Sequence, residues 1–84
     1  MVGGAVARGT TNRYVLRAGA NQTMSISIGS VEGNARFSLV APDGLLIAFD
    51  EVSTEVVLPA DGDYVIEVGT DRGSAEYTLD VAVY

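Results

Sequence analysis

Two stretches decide the fold class of this chain: LPADGDYVIEV at residues 58–68 and YTLDVAV at residues 77–83. Apolar and polar residues alternate in each, which is the side-chain period of a strand with one buried face. Pro59 cannot donate to a β-ladder and Gly62 accepts a positive φ, so the segment before Tyr64 predicts a tight turn. The sequence therefore predicts two long strands joined by a short loop at residues 69–74.

The same alternation extends over the rest of the 84 residues. It is clearest where Met24, Ile26 and Ile28 alternate with threonine and serine. Weaker patterns predict strands at residues 5–8, 14–16, 37–39, 46–50 and 55–58, with turns at residues 18–21 and 42–44. About eight short strands separated by turns predict an all-β fold, a small antiparallel β-sandwich of jelly-roll type. We expect one domain over residues 1–84, with residues 1–4 disordered or foreign to the natural protein.

Composition excludes several functions. The chain has no histidine, cysteine or lysine, which removes the common general base, thiolate metal ligands and Schiff-base chemistry. A net charge of −6 argues against nucleic acid and against anionic membranes as partners. No run of 18 apolar residues is present, and residues 1–4 do not have the form of a signal peptide. An acidic domain suits a basic protein partner, although the charge also serves solubility.

The stretch LPADGDYVIEV, followed by YTLDV, resembles the bacterial pre-peptidase C-terminal domains. Their pattern also has an early aromatic strand, an alanine-glycine turn and a proline-aspartate-glycine hairpin, which match Tyr14, Ala18-Gly19 and Pro42-Asp43-Gly44. This resemblance covers roughly residues 8–83. It implies a non-catalytic β-sandwich module of an exported bacterial protein that binds a protein or a glycan.

The pattern is also similar to the periplasmic inhibitors of goose-type lysozyme, which share this sandwich. In those inhibitors an arginine-rich loop follows the G-D-Y strand, whereas this chain has six residues there, 69–74, with the single arginine Arg72. The resemblance implies a secreted or periplasmic protein whose Arg72 and Ser74 enter the cleft of a basic lysozyme. A third interpretation, a homo-oligomeric structural domain, stays open beside these two.

Strand parity predicts where a binding site lies. If successive strands run antiparallel, the connections around residues 9–11, 29–35, 50–54 and 69–74 fall at one end of the sandwich. These connections are long and polar, and binding residues commonly lie on loops held by a rigid scaffold. We therefore expect partner contacts from polar residues of these loops, namely Glu32, Asn34, Ser53, Asp71, Arg72 and Ser74.

Arg72 is the first candidate among them, because a lone arginine at a loop tip can pair with a carboxylate of a partner. The plainer interpretation is an exposed side chain paired weakly with Asp71. A separate hypothesis concerns Val15, Val57 and Val65, which fall on the outward register of their strands. If they lie together, they predict a self-association surface.

The acidic residues do not match a known catalytic or metal-binding motif. We interpret two acidic pairs, Asp50-Glu51 and Asp61 with Asp63, as carboxylates of turns and of the surface. Their spacing in the sequence does not match that of the ligands in a calcium-binding loop. We expect no enzyme activity, no metal and no cofactor, with calcium bound through the loops as the alternative. Tyr64 and Tyr77 are expected to bury their rings and to keep their hydroxyls at the rim.

Overall fold

A computed structural model describes residues 2–84 as two packed four-stranded sheets. No helix that could cross a membrane occurs among these residues. The strands are β1 (Val2–Val6), β2 (Asn12–Ala18), β3 (Thr23–Ser30), β4 (Ala35–Val40), β5 (Leu46–Glu51), β6 (Ser53–Val57), β7 (Gly62–Thr70) and β8 (Ala75–Val83). The prediction of about eight strands in an all-β sandwich is confirmed.

The strand order identifies the topology as a jelly roll. One sheet, here the β1 sheet, has the order β1-β8-β3-β6, and the other, the β2 sheet, has the order β2-β7-β4-β5. All neighbouring strands pair antiparallel. Every connection except the β4–β5 hairpin crosses from one sheet to the other. This is the double-sheet arrangement in which each strand buries one face against the opposite sheet.

The core lies between the sheets and comes from the inward positions that alternation predicts. In β3 these positions are Met24, Ile26 and Ile28, and in β7 they are Tyr64, Ile66 and Val68. Phe37 and Leu39 of β4 and Tyr77 and Leu79 of β8 complete the centre of the core. Each outward neighbour in these strands is polar, small or half-buried, which explains why the pattern was readable from sequence.

Two core tyrosines keep their hydroxyls bonded at the rim of the sandwich. The Tyr64 hydroxyl donates to the carbonyl oxygen of Ala60 over 2.6 Å and accepts from the Ala60 amide over 3.2 Å, which fixes the turn before β7. The Tyr77 hydroxyl bonds instead to side chains of the other sheet, the hydroxyl of Tyr14 and the amide of Asn12. These bonds tie β8 to β2 across the open edge of the sandwich.

The expectation of disorder at residues 1–4 is wrong for the three of them that lie in β1. Val2, Gly3 and Gly4 pair with β8, while Met1 lies outside the described residues. The first strand also begins earlier than the predicted residues 5–8. The physical reason is the backbone ladder with β8, in which Gly3 pairs with Thr78 and Gly4 with Tyr77. The ring and hydroxyl of Tyr77 occupy the space where a Cβ at position 4 would lie, so this place in the strand suits glycine.

Gly62 fulfils the role predicted for it. Its φ of 140° lies in the region that glycine favours, and a Cβ at this position would approach Pro42 to 2.9 Å. The two predicted turns, at residues 42–44 and 59–62, therefore meet at one end of the sandwich. Asp61 joins this end too, since its carboxylate accepts the Ala20 amide over 2.7 Å.

Replacing Gly4 with alanine is expected to destabilise the fold. A Cβ there would lie 2.7 Å from the Tyr77 hydroxyl oxygen and 3.2 Å from that of Tyr14, so the bonded pair must shift. Overpacking of this kind costs about 1–3 kcal/mol. Gly3→Ala is the matched control, because its nearest neighbour would be 4.0 Å away. Urea denaturation measures both; equal stabilities of the two variants would contradict this account of β1.

The Tyr14 hydroxyl is expected to make stability fall at high pH. Its hydrogen bond to Tyr77 raises the pKa of Tyr14 to about 12, and desolvation and the nearby Tyr77 hydroxyl act in the same direction. A tyrosine in an unfolded chain has a pKa of about 10, so the unfolded state loses this proton first. The protonated Tyr14 hydroxyl therefore makes its full contribution to the free energy of unfolding below about pH 10, and this contribution is lost as the pH rises towards 12.

Urea denaturation of the wild type and of Tyr14→Phe at pH 9 and pH 11.5 tests this dependence. The wild type should lose more stability over that interval than Tyr14→Phe. A Tyr84→Phe variant separates the second contribution, because the hydrogen bond to Glu55 also raises the pKa of Tyr84. Equal losses in the wild type and in Tyr14→Phe would refute the role assigned to this hydroxyl.

Candidate binding surface

Three connections form one surface at the end of the sandwich, here called the loop end: residues 7–11 after β1, residues 31–34 after β3 and residues 71–74 after β7. Hydrogen bonds link all three. The Arg8 amide donates to the Ser74 hydroxyl over 3.4 Å, and the Asp71 amide donates to the Asn34 carbonyl over 3.1 Å. Antiparallel pairing brings these connections to the same end, as parity predicted, and these bonds fix them against one another.

The fourth predicted connection differs from the others. Between β5 and β6 only Val52 remains, and its carbonyl accepts the amide of Ile28, two residues before the end of β3. Ser53 is already the first residue of β6 and pairs with Ser27. This short connection still lies at the predicted end of the sandwich, because Glu51 pairs with Phe37 near the start of β4 and β6 begins beside the last residues of β3. The role of Ser53 as a partner contact stays a prediction.

Asn34 is the centre of the loop end. The residue is only 3% exposed, and apart from the core tyrosines it is the one buried polar residue among residues 2–84. Its Nδ2 donates to the carbonyl oxygens of Arg72 over 2.9 Å and Ser74 over 3.1 Å. The sequence placed Asn34 among the residues that touch a partner; burial makes it a positioning residue that holds the β7–β8 loop.

The charges of the loop end leave Arg72 weakly held. Asp71 lies 3.4 Å from Arg36, whose side chain is half-buried, but 4.0 Å from Arg72. A second contact, from Nη2 of Arg72 to the carbonyl oxygen of Glu32, is 3.3 Å long. The Arg72 side chain remains 69% exposed. Because Arg36 already neutralises Asp71, Arg72 can turn towards another carboxylate at little cost.

A hollow of about 640 Å³ opens at the loop end on the side of the β1 sheet; Glu32 and Ser74 belong to its lining, but Arg72 does not. Small apolar residues line much of it, and Val31 stands almost fully exposed at its lip. The lining consists of Ala5, Val6, Ala7, Val31, Glu32, Asn34, Ser74, Ala75 and Glu76. Glu32 and Ser74, predicted as contact residues, therefore border a concave surface. Val31 was missed, because a valine in a loop gives no polar pattern to read.

Two of the acidic residues considered for chemistry, Asp61 and Asp63, have structural partners. Asp61 caps a turn through Ala20, and Asp63 lies 3.8 Å from Arg17. Asp50 lies in the bulged strand β5 with a φ of 57°. Among residues 2–84 no three acidic side chains come close enough together to hold a metal ion. Calcium binding through the loops stays a prediction.

The predicted self-association residues divide between the sheets. Val15 and Val65 are direct cross-strand partners on the outer face of the β2 sheet. Val57 pairs with Thr23 in the β1 sheet, so its grouping with them was wrong. Strand parity distinguishes inward from outward positions, but only the jelly-roll topology assigns β6 to the other sheet.

The chain is similar to the crystal structure of Aeromonas hydrophila PliG, a periplasmic lysozyme inhibitor of g-type lysozyme, with a TM-score of 0.87 and 28% sequence identity. The match covers 99% of this chain and 83% of that one. No protein-family model matches the sequence, and no curated protein matches it.

Replacing Asn34 with alanine is expected to loosen the loop end. Two carbonyl oxygens lose their donor, and a buried polar group without its partner costs about 1–3 kcal/mol. Amide hydrogen exchange at residues 71–74 should accelerate more than exchange in β7 and β8. Ser74→Ala serves as the control in the same loop, because it removes only the 3.4 Å contact with Arg8. Unchanged exchange at residues 71–74 in Asn34→Ala would contradict the positioning role.

Proposed function

We propose that this chain is a non-catalytic protein that acts outside the cytoplasm and inhibits a goose-type lysozyme by binding it with the loop end. One observation carries the proposal: the likeness to A. hydrophila PliG extends over 99% of the chain. PliG is an inhibitor of g-type lysozyme and is periplasmic. Both of these properties are transferred here as proposals for the present chain.

The exposed arginine supports this assignment chemically. Glycoside hydrolases ordinarily use a pair of carboxyl groups beside the scissile bond, so a lysozyme cleft presents acidic side chains. Arg72 projects from the β7–β8 loop, and its present contacts at 3.3 and 4.0 Å are long. A guanidinium can exchange these contacts for a bidentate pair with a carboxylate. In this proposal Arg72 enters the cleft, and the hollow lined by Glu32 and Ser74 meets the cleft wall.

The charge of the chain supports the same partner at longer range. With a net charge of −6, the domain attracts a basic enzyme and accelerates encounter at low salt. Arg72 is then a local cation on an acidic protein. The attraction between the net charges acts over long distances and is weakened by salt. The ion pair of Arg72 with a carboxylate in the cleft would be shielded from water, so salt weakens it much less.

The accessory-module interpretation remains the alternative. A module of the pre-peptidase C-terminal type would also be a non-catalytic β-sandwich that contacts a protein or a glycan with its loops. No further observation favours it. The full-length reading frame distinguishes the two, because an accessory module is attached to a peptidase or another exported protein.

The inhibitor proposal predicts loss of goose egg-white lysozyme activity on addition of the intact protein. Hen egg-white lysozyme, a basic enzyme of another type, controls for attraction by charge alone. Arg72→Ala should weaken inhibition by about 1–3 kcal/mol, a factor of roughly 5 to 150 in the inhibition constant, as for a buried interface arginine. Cell-wall lysis assays measure all of these effects.

Arg17→Ala is the matched control, since Arg17 is 79% exposed but lies in β2 near the opposite end of the sandwich. It also removes one positive charge, so both variants change the net charge equally. The proposal is overturned if the intact protein does not inhibit the goose enzyme, if it inhibits both enzymes equally, or if Arg17→Ala and Arg72→Ala weaken inhibition by the same amount.

A further inference from the structure

The outer face of the β2 sheet carries a continuous apolar row that no part of residues 2–84 covers. Val15 pairs with Val65, Val65 pairs with Val40, and Val40 pairs with Leu46. One apolar side chain from each of the four strands therefore lies in a line across the sheet. Val15 is 61% exposed and Leu46 is 51% exposed, while the two central valines are half-buried.

Charged pairs flank this row on both sides, but only on two of the strands. Arg13 lies 3.6 Å from Glu67, and Arg17 lies 3.8 Å from Asp63, in each case between β2 and β7. On the β4 side the row is bordered by Ser38 and by the exposed ring of Phe49. On the β2–β7 half, four charged side chains thus lie directly beside the apolar row, whereas on the β4–β5 half the charges of Arg36 and Asp50 lie four residues from the row along their strands.

We propose that this face binds a second copy of the chain through a two-fold axis parallel to the strands, between β7 and β4. That axis places the apolar row of one copy over the apolar row of the other. It brings the β2–β7 half of each sheet opposite the β4–β5 half of the second sheet. Val15 then lies on Leu46 of the second copy, and Val65 lies on its Val40. An interface of this kind is self-complementary, which is what a closed homodimer requires.

The charge pattern selects this axis over the one at right angles to it. A two-fold axis perpendicular to the strands would place Arg13 over the second copy's Arg17, and Glu67 over its Asp63. Such like-charge contacts oppose association. With the axis along the strands, the charged pair of Arg13 and Glu67 in each copy instead faces the uncharged side chains beside the row of the other copy, Ser38 and Phe49. Arg13 then lies near the Phe49 ring of the second copy, which is a favourable cation–π arrangement.

The size of the face sets the strength of the contact. Four strands spaced about 4.8 Å apart, with about seven residues each, cover roughly 400 Å². A standard stable interface buries about 800 Å² on each partner, so this dimer is weak and forms at high protein concentration. Because the axis runs along the strands, both loop ends point in the same direction and stay uncovered.

Sedimentation velocity from about 10 μM to 1 mM protein tests the proposal. The wild type should shift from monomer towards dimer over this range, and added salt should strengthen association by screening the charge of −6 on each copy. Val15→Lys alone and Leu46→Glu alone should each remain monomeric, because each homodimer would bury two unpaired charges. An equimolar mixture of these two variants should form a heterodimer, in which Lys at 15 meets Glu at 46.

Val57→Lys is the control, since Val57 is 62% exposed but lies in the β1 sheet. It should associate like the wild type, and circular dichroism melts confirm that every variant is folded. A wild type that stays monomeric at 1 mM overturns the proposal. So does a mixture of Val15→Lys and Leu46→Glu that remains monomeric, or a Val57→Lys variant that dissociates as the other two do.

Discussion

The bonds of one buried carboxamide determine the candidate site. Asn34 donates to two carbonyl oxygens of the β7–β8 loop, and the backbone carbonyl of the same residue accepts the Asp71 amide. A four-residue loop between two long strands is thereby fixed against the β3–β4 connection. Since Arg36 neutralises Asp71 within this arrangement, the side chain that remains available for a partner is Arg72.

Much of the fold could be predicted because a two-layer sandwich gives every strand one buried face. Met24, Ile26 and Ile28 show that constraint directly, and so do Tyr64, Ile66 and Val68. The first strand was predicted to begin at residue 5 instead of Val2, because Gly3 and Gly4 have no side chains to alternate. Gly4 belongs to a strand because its backbone pairs with Tyr77 of β8, more than seventy residues away in the sequence.

The candidate site was less predictable than the fold, for reasons of topology. Parity brought residues 31–34 and 71–74 to one end, but a polar loop residue can either face solvent or bond to a neighbouring loop. Asn34 does the second, and only the contacts between loops separate the two cases. Likewise Val57 is exposed as predicted, yet it belongs to the sheet opposite Val15 and Val65.

The most direct test of the account is to map the protein's own amides in a complex with goose egg-white lysozyme. Amide chemical shifts of the isotope-labelled protein, followed during titration with the unlabelled enzyme, report the contacted residues. The account predicts that the perturbed amides cluster at residues 31–34 and 71–74 and that the outer face of the β2 sheet is unaffected. Perturbations confined to that face, or none at all at saturating enzyme, would contradict the assignment of the loop end as the lysozyme-binding surface.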